Sequence, residues 1–316
     1  MIAVIGESLV DLVNEDPSGT SAVYHAMAGG SPYNVSVATA RLGIATRLYS
    51  LIGDDAFGRL LIEGANRDGV DLSGVVRSAG WTGLAVTAVD GRGAASYEFR
   101  IDDAVGWGWS DMDLAGLAEA TIVHFGSIAS WRSPGDAVIR TAVEKSPALI
   151  TYDPNVRTAL IGSHERAVAM VEQNIAVSNL VKASDEDIEW LYPEVPIDTV
   201  ADRWLALGPD LVVVTAGADG VTAFRAGRGA VHRPAFEVTV VDTVGAGDSG
   251  MATLLAGLHE RQITTSTLLA DIGEADVVSI LDDAVLAAGM TCSRRGADPP
   301  TAAELDDGRA RHRIAG

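Results

Sequence analysis

The sequence contains very little lysine. Lys145 and Lys182 are the only lysines among its 316 residues. Glu144 precedes the first and Val181 precedes the second, so neither lysine belongs to the Gly-Lys-Ser/Thr run of a Walker A loop. The sequence therefore excludes the P-loop class, and any nucleotide chemistry needs another phosphate-binding structure.

Cysteine and long apolar runs are also scarce. Cys292 is the only cysteine, which excludes an internal disulfide and a zinc site built from several thiolates. This usage is typical of a reducing compartment, and we expect a cytoplasmic protein. The sequence has neither a run of 18 apolar residues nor a basic leader followed by one, so we predict neither membrane spanning nor export.

Positive charge is scarce as a whole: 23 Lys and Arg residues stand against 43 Asp and Glu residues, for a net charge of −20. Such a surface repels nucleic acid and anionic membranes, and we expect neither as a partner. An anionic substrate would need local positive potential from arginines, backbone N–H groups or a bound cation. With 47% hydrophobic residues, the chain is able to bury a large core.

Short apolar, β-rich runs alternate with helical stretches along the chain. This alternation predicts an α/β fold in which a mostly parallel sheet carries helices on both faces. No linker or internal repeat interrupts the pattern, so we predict a single domain over residues 1–316. The predicted strands are residues 2–5, 47–51, 121–125, 148–152, 175–181, 211–215 and 238–241. Because ligands bind at the carboxyl ends of strands in such sheets, the turns that follow are candidate sites.

Two segments alternate with a period of two residues instead. They are residues 20–28, and residues 84–89 with 94–100, the latter pair predicting a hairpin. Together they predict a small β-sheet lid that excludes water from the cleft. An edge hairpin without that role is the alternative.

The run Asp242-Thr243-Val244-Gly245-Ala246-Gly247-Asp248 opens a helix, since Met251, Leu254, Leu255 and Leu258 follow with helical spacing. Small residues leave the N–H groups of Gly245, Ala246 and Gly247 accessible at the helix N-terminus, where they can hold an anion. A carboxylate at Asp248 would repel a phosphate that was merely bound. It is suited instead to deprotonating a hydroxyl that attacks a phosphoryl group.

Two other interpretations of this loop stay open on pattern alone. Residues 245–250 also satisfy the G-x-G-x-x-G pattern of dinucleotide-binding proteins, with Asp271 roughly 20 residues on. That pattern belongs in the first βα turn of a unit, whereas this loop comes late and contains Asp248. The glycines could also serve close packing only.

The sequence resembles the ribokinase, or PfkB, family of carbohydrate kinases. The run from Asp242 to Asp248 matches the family's Asp-Thr-x-Gly-Ala-Gly-Asp motif, and residues 29–34 match its Gly-Gly-x-x-x-Asn motif. The order of elements is similar from Met1 to about Ala303. The resemblance implies a ribokinase-like three-layer α/β/α fold, with a lid formed by approximately residues 12–28 and 82–104.

The resemblance also implies roles for individual residues. Asp248 would be the general base, with Gly245, Ala246 and Gly247 as the anion hole. Asp11, Gly30 and Asn34 would bind sugar hydroxyls, and a carboxylate with an amide does offer the mixed acceptors and donors that hydroxyls need. Taken singly, Asp11 also fits a solvated strand end and Asn34 a helix cap.

ATP would lie against the second half of the sheet. Thr215, Gly217 and Gly220 resemble the family's Thr-x-Gly-x-x-Gly turn, and Lys182 would approach the phosphates. Ser184 and Asp187 stand where many members carry Asn and Glu associated with hydrated Mg²⁺, and a role through water fits the shorter Asp. Val285 departs from the family pattern, in which Asn is common near the adenine.

Members of this family often bind a monovalent cation beside the anion hole. Here the backbone around Asp242, Thr243 and Gly296 would hold it, and K⁺ would supply positive potential to an acidic chain.

Tyr97, Arg100 and Arg157 resemble substrate-binding residues of fructokinases and 2-keto-3-deoxygluconate kinases. Two arginines suit a carboxylate, but arginine also donates to neutral hydroxyls, and Arg157 could instead pair with Asp153. We favour fructose slightly. A 2-keto-3-deoxygluconate kinase and a ribose or nucleoside kinase are the alternatives.

The sequence thus predicts ATP-dependent phosphorylation of a primary hydroxyl on a small sugar. A sensor that binds sugar or nucleotide without turnover is the alternative from another class, and it is disfavoured because Asp248 is present. The outer face of the lid also predicts a homodimer.

Overall fold

A computed structural model describes residues 1–16, 22–89 and 95–315, and two β-sheets organise this part of the chain. The strands are β1 (Ile2–Ile5), β2 (Leu9–Asp16), β3 (Val23–Gly29), β4 (Thr46–Gly53), β5 (Val75–Ser78), β6 (Gly83–Val89), β7 (Ala95–Arg100), β8 (Ile122–Gly126), β9 (Leu149–Asp153), β10 (Leu180–Ser184), β11 (Leu211–Thr215), β12 (Val221–Phe224) and β13 (Val231–Arg233).

Helices separate most of these strands. They are α1 (Ser31–Arg41), α2 (Ala56–Arg67), α3 (Asp136–Lys145), α4 (His164–Ile175), α5 (Asp185–Leu191), α6 (Ile197–Leu205), α7 (Ala246–Glu260), α8 (Ser266–Ala270), α9 (Glu274–Cys292) and α10 (Ala302–Ala315).

The larger sheet has nine strands in the order β13-β12-β11-β10-β9-β8-β1-β4-β5. Pairing is parallel from β5 to β11, and β12 pairs antiparallel with both of its neighbours, β11 and β13. A parallel sheet needs cover on both faces, which explains why its strands are nearly continuous apolar runs. The prediction of a mostly parallel α/β sheet is confirmed.

Both faces of the larger sheet are covered. Ile2 and Val4 of β1 join a core with α1, α7 and α9, whereas Ala3 and Ile5 join a core with α3, α4, α5 and α6 on the other face. This division follows from the alternation of side chains along a strand. The predicted three layers are confirmed.

The smaller sheet has the order β3-β2-β6-β7. Strands β6 and β7 pair antiparallel, as the predicted hairpin requires, and β2 pairs antiparallel with β3 and parallel with β6. Residues 90–94 of the predicted hairpin and residues 17–21 of the predicted lid lie outside the described residues. That this sheet acts as a lid, and its boundaries at residues 12–28 and 82–104, stay predictions.

Two strand predictions are wrong. Residues 238–241 form no strand, and Val240 and Val241 are about 60% exposed. The segment runs beside the end of α9, where the Val241 N–H donates to the Cys292 carbonyl. A run of β-branched residues forms a strand only when a neighbouring strand pairs with it. The larger sheet ends at β13, and residues 238–241 do not pair with that strand. Residues 175–181 likewise join the end of α4 to the start of β10, because an apolar run does not itself distinguish helix from strand.

Candidate active site

The carboxyl ends of β1, β9, β10 and β11 meet the N-termini of α1 and α7 at one edge of the larger sheet. Gly245 precedes α7 with a φ of +78°, and a Cβ there would stand 2.6 Å from the Ala297 Cβ. Glycine is therefore required by both the left-handed backbone and the close approach of the Ala297 segment. As at any helix N-terminus, the first-turn amides lack intrahelical carbonyls, although the Ala246 N–H makes a long 3.3 Å bond to the Thr243 carbonyl.

Asp248 lies in that first turn and contacts α1. Its Oδ1 accepts a hydrogen bond from the Ser31 hydroxyl at 2.6 Å, and its Oδ2 accepts one from the Asn34 amide at 2.9 Å. Burial raises the pKa of Asp248, against the lowering effect of these two donors and of the Lys182 charge. The two sequence motifs, more than 200 residues apart in the chain, thus meet at this carboxylate.

Lys182 lies beneath the anion hole. Its Nζ lies 2.7 Å from Oδ2 of Asp153, both side chains are about 95% buried, and Nζ lies 3.4 Å from where a Cβ on Gly247 would stand. Burial lowers the pKa of Lys182, but the charges of Asp153, Asp248 and Asp187 raise it above its usual value overall. Lys182 is therefore a buried cation next to the first turn of α7, where the sequence predicts an anion hole.

The Gly29-Gly30 pair brings the backbone of α1 against the small sheet. Gly30 has a φ of +97°, and a Cβ there would stand 2.7 Å from the Glu7 carbonyl oxygen. A Cβ on Gly29 would collide with the Asp11 carboxylate. Asp11 of β2 therefore lies directly over this turn, next to the start of the helix that carries Asn34.

Asp11 shares its electrostatic environment with Asp248. Burial raises the pKa of Asp11 to about 6, the Arg157 charge lowers it, and the Asp248 charge raises it. Asp11, Asp248 and Arg157 therefore lie close enough to influence one another. The structure brings together Asp11, Gly30, Asn34 and Asp248, as the sequence predicted.

The Arg157 charge also acts on Glu7, a residue that the sequence analysis did not assign to the site. Glu7 is 2% exposed, and its Oε2 accepts a hydrogen bond from the Ala129 N–H at 3.0 Å. Burial raises the pKa of Glu7, which the Arg157 charge in turn lowers. The alternative pairing of Arg157 with Asp153 is not found, because Asp153 pairs with Lys182. A charged residue in the turn after a buried strand was the signal that could have identified Glu7.

Arg100 lies on the other face of the smaller sheet. Cross-strand partners share a face, and the register aligns Arg100 with Leu84 and Val10, one position away from the row that contains Asp11. The Arg100 guanidinium is exposed and bonds to Glu98 at 2.9 Å. The structure therefore does not bring Arg100 to Arg157. The Tyr97 side chain lies outside the described residues.

Ser184 and Asp187 form a capping box at the start of α5. The Asp187 N–H donates to the Ser184 hydroxyl at 3.0 Å, and Oδ2 of Asp187 accepts the Ser184 N–H at 3.2 Å. The other oxygen, Oδ1, accepts the Val156 N–H at 2.9 Å. Both residues thus have structural contacts at the predicted ATP edge.

The predicted Thr-x-Gly-x-x-Gly turn follows β11 at the same edge. Thr215 ends the strand beside Ser184, its Cα partner in β10. Gly217 and Gly220 have φ values of +48° and +93°, and a Cβ on Gly220 would collide with the Arg233 carbonyl. Glycine is thus required for the turn to close against the strand that contains Arg233.

The predicted cation segment also assembles. Oδ2 of Asp242 accepts the Gly296 N–H at 2.8 Å, and Oδ1 accepts the Val244 N–H at 3.1 Å. Thr243 lies between these contacts, and Gly296 has a φ of +69°. Within residues 1–16, 22–89 and 95–315, no group of three or more His, Cys, Asp or Glu side chains is arranged to hold a metal ion. No helix of the same part of the chain is long and apolar enough to cross a membrane.

A buried carboxylate and a buried lysine at the N-terminus of a helix, on a three-layer α/β/α fold, are typical of phosphotransferases with a hydroxyl acceptor. Residues 1–303 match the model of the pfkB family carbohydrate kinases, and the chain belongs to that family. This membership confirms the prediction of an ATP-dependent carbohydrate kinase and removes the dinucleotide-binding alternative.

Individual relatives agree with the family. The chain is 34% identical to a fructokinase of Rhizobium leguminosarum bv. trifolii over 278 residues, which cover 87% of this chain and 84% of the relative. The structure of a Xylella fastidiosa fructokinase with bound ATP superimposes with a TM-score of 0.90 at 25% identity, covering 98% of each chain. An uncharacterized sugar kinase of Pyrococcus horikoshii in complex with ATP gives a TM-score of 0.81 at 29% identity, covering 98% of this chain and 99% of that one.

Proposed function

We propose that this kinase transfers the γ-phosphoryl group of ATP to a primary hydroxyl of a small neutral sugar, with fructose as the preferred substrate. The observation that carries the proposal is the position of Asp248. Its carboxylate stands in the first turn of α7, beside a set of phosphate-binding amides and next to Asp11 and Asn34. An acceptor hydroxyl held by Asp11 and Asn34 would therefore lie near the base.

In the proposed reaction, Asp248 accepts the proton of the acceptor hydroxyl as its oxygen forms the bond to the γ-phosphorus. The bond between that phosphorus and the β,γ-bridging oxygen breaks, and ADP leaves. The amides of Gly245, Ala246 and Gly247 and the Lys182 ammonium supply the positive potential for the charge on the transferring group. These groups supply local positive potential in a chain whose net charge is strongly negative.

Ser184 and Asp187 do not fit direct coordination of Mg²⁺. Each carboxylate oxygen of Asp187 already accepts a backbone N–H, so we assign these residues contact with a hydrated ion only through water. Thr215, Gly217 and Gly220 are proposed to border ATP. The backbone around Asp242, Thr243 and Gly296 is proposed to hold K⁺.

The charges around Arg157 favour a neutral sugar over a keto-deoxy acid. The Arg157 charge already interacts with the carboxyls of Glu7 and Asp11, and Arg100 lies on the opposite face of the small sheet, paired with Glu98. A substrate carboxylate would thus meet no unmatched pair of arginines. The fructokinase names of several relatives support the same choice.

The proposal is tested by incubating the purified protein with ATP, Mg²⁺ and a panel of ketoses, aldoses, keto-deoxy acids and nucleosides. We expect ADP release with fructose above all others, and a product phosphorylated on a primary hydroxyl by NMR. Faster turnover of 2-keto-3-deoxygluconate or of a nucleoside would replace fructose as the substrate. Absence of ADP above background across the panel would favour the sensor. Asp248→Asn, measured in parallel, controls for contaminating kinases.

A further inference from the structure

The shortest contact to the catalytic base comes from a residue outside the predicted sugar-binding set. Ser31, the first residue of α1, is 7% exposed and donates its hydroxyl to Oδ1 of Asp248 at 2.6 Å. Water competes little for a hydroxyl that is so buried. The contact also joins the two helices that face each other across the site, since α1 packs on α7.

Asp248 is surrounded by neutral hydrogen-bond donors, a cation and two further carboxyl groups. Asn34 and Ser31 donate from α1 and Lys182 lies on β10, whereas Asp153 on β9 and Asp11 on β2 are like charges. Burial raises the pKa of Asp248, and the two α1 donors lower it. The base is useful only when it is ionised, so each donor increases the active fraction at a given pH.

We propose that Ser31 is a positioning residue for the catalytic base: its hydroxyl fixes the rotamer of the Asp248 carboxylate and favours the ionised form that accepts the sugar's proton. This inference rests on the proposed function of Asp248. Asn34 makes a similar contact but is also assigned to the sugar, so its substitution mixes two effects. Ser31 separates base positioning from sugar binding.

The experiment compares Ser31→Ala with Ser31→Thr, which keeps a hydroxyl, and with Ser36→Ala as a matched control. Ser36 is a fully buried serine of the same helix, and its hydroxyl donates to the Tyr33 carbonyl instead of the base. The pH dependence of kcat and kcat/KM is measured with the sugar and ATP used for the wild type. Melting temperatures establish that all three variants fold.

Losing a hydrogen bond to a carboxylate should move the acidic limb of the kcat profile, measured at saturating sugar, to higher pH by about one unit in Ser31→Ala, which lowers the rate on that limb roughly tenfold. KM for ATP should change little. Ser31→Thr and Ser36→Ala should keep the wild-type limb. A Ser31→Ala limb that superimposes on the wild type, or a Ser36→Ala or Ser31→Thr shift equal to that of Ser31→Ala, would overturn the proposal. If Asp248→Asn kept wild-type activity, the proposed function itself would fail, which is a separate result.

Discussion

Lys182 and Asp153 form a buried ion pair beneath the first turn of α7, with 2.7 Å between Nζ and Oδ2. The pair places a cation against Gly247 without exposing it to water, and Asp153 is also near enough to Asp248 to affect its pKa. We therefore expect both the stability of the fold and the proposed anion hole to depend on these two side chains.

Lys182→Met should destabilise the protein by about 3–5 kcal/mol, because it leaves Asp153 as a buried charge without a partner. The measurement is the free energy of unfolding in urea. Lys145→Met is the matched control, since the chain's other lysine is exposed at the end of α3 and its loss should cost less than about 0.5 kcal/mol. An equal loss of unfolding free energy in both variants would show that the buried ion pair contributes no more to stability than an exposed lysine does.

The double variant Lys182→Met with Asp153→Leu should recover much of that stability, because an apolar pair removes the stranded charge. Its turnover of sugar should stay low, since the cation at the anion hole is still missing. Recovery of both properties would contradict the placement of Lys182 at the phosphates.

Asp248→Asn should lower kcat by roughly 10²–10⁴-fold with little effect on KM, because the amide keeps the side chain's shape and loses its basicity. Steady-state kinetics with fructose and ATP measure both constants. Retention of more than about a tenth of the activity would remove Asp248 from the mechanism.

The family resemblance assigned Asn34 and Asp248 to one site, because both lie in motifs at the start of a helix, and the structure brings their side chains into contact. The sequence did not predict the hydrogen bond from Ser31 to Asp248 or the effect of the Arg157 charge on Glu7. These interactions depend on how α1 packs against α7 and on how the turns after β1 and β9 lie beside each other, which no local sequence pattern predicts. The sequence also could not predict which face of the smaller sheet Arg100 occupies, because a shift of one residue in register moves a strand's side chains to the other face.

Asp11 should link sugar binding to pH near 6. Burial raises its pKa to about 6, so below that pH the carboxyl is protonated and loses acceptor capacity for sugar hydroxyls. We expect kcat/KM for the sugar to fall as pH falls through about 6, and KM for ATP to change less. Initial rates between pH 5 and 8 test this, and a flat sugar profile would refute it.

The raised pKa of Asp11 also affects stability: the ionised carboxylate that favours sugar binding destabilises the fold. A carboxyl whose pKa is raised on folding binds protons more tightly in the folded state, so its unfavourable contribution grows as pH rises from about 4 to about 6 and is complete above that. Asp11→Asn should therefore stabilise the protein at pH 7, by roughly 1–3 kcal/mol, while weakening sugar binding. Urea unfolding at pH 7 and pH 4 provides the test: the gain should be absent at pH 4.

The two arginines should respond differently to substitution. Arg157→Gln removes a charge that faces Asp11 and Glu7, and with a neutral sugar it should cost less than about 100-fold in kcat/KM, or about 2.7 kcal/mol. Arg100→Gln should cost less than Arg157→Gln, because the Arg100 side chain is exposed and bonds to Glu98 on the face away from Asp11.

Kinetics with fructose and with 2-keto-3-deoxygluconate distinguish the two substrates. If both arginines held a substrate carboxylate, either variant would lose nearly all of its activity on the keto-deoxy acid. If the wild type turned over the keto-deoxy acid much faster than fructose and both substitutions abolished that turnover, Arg100 would have to reach the site in the complex, and fructose would be abandoned as the substrate.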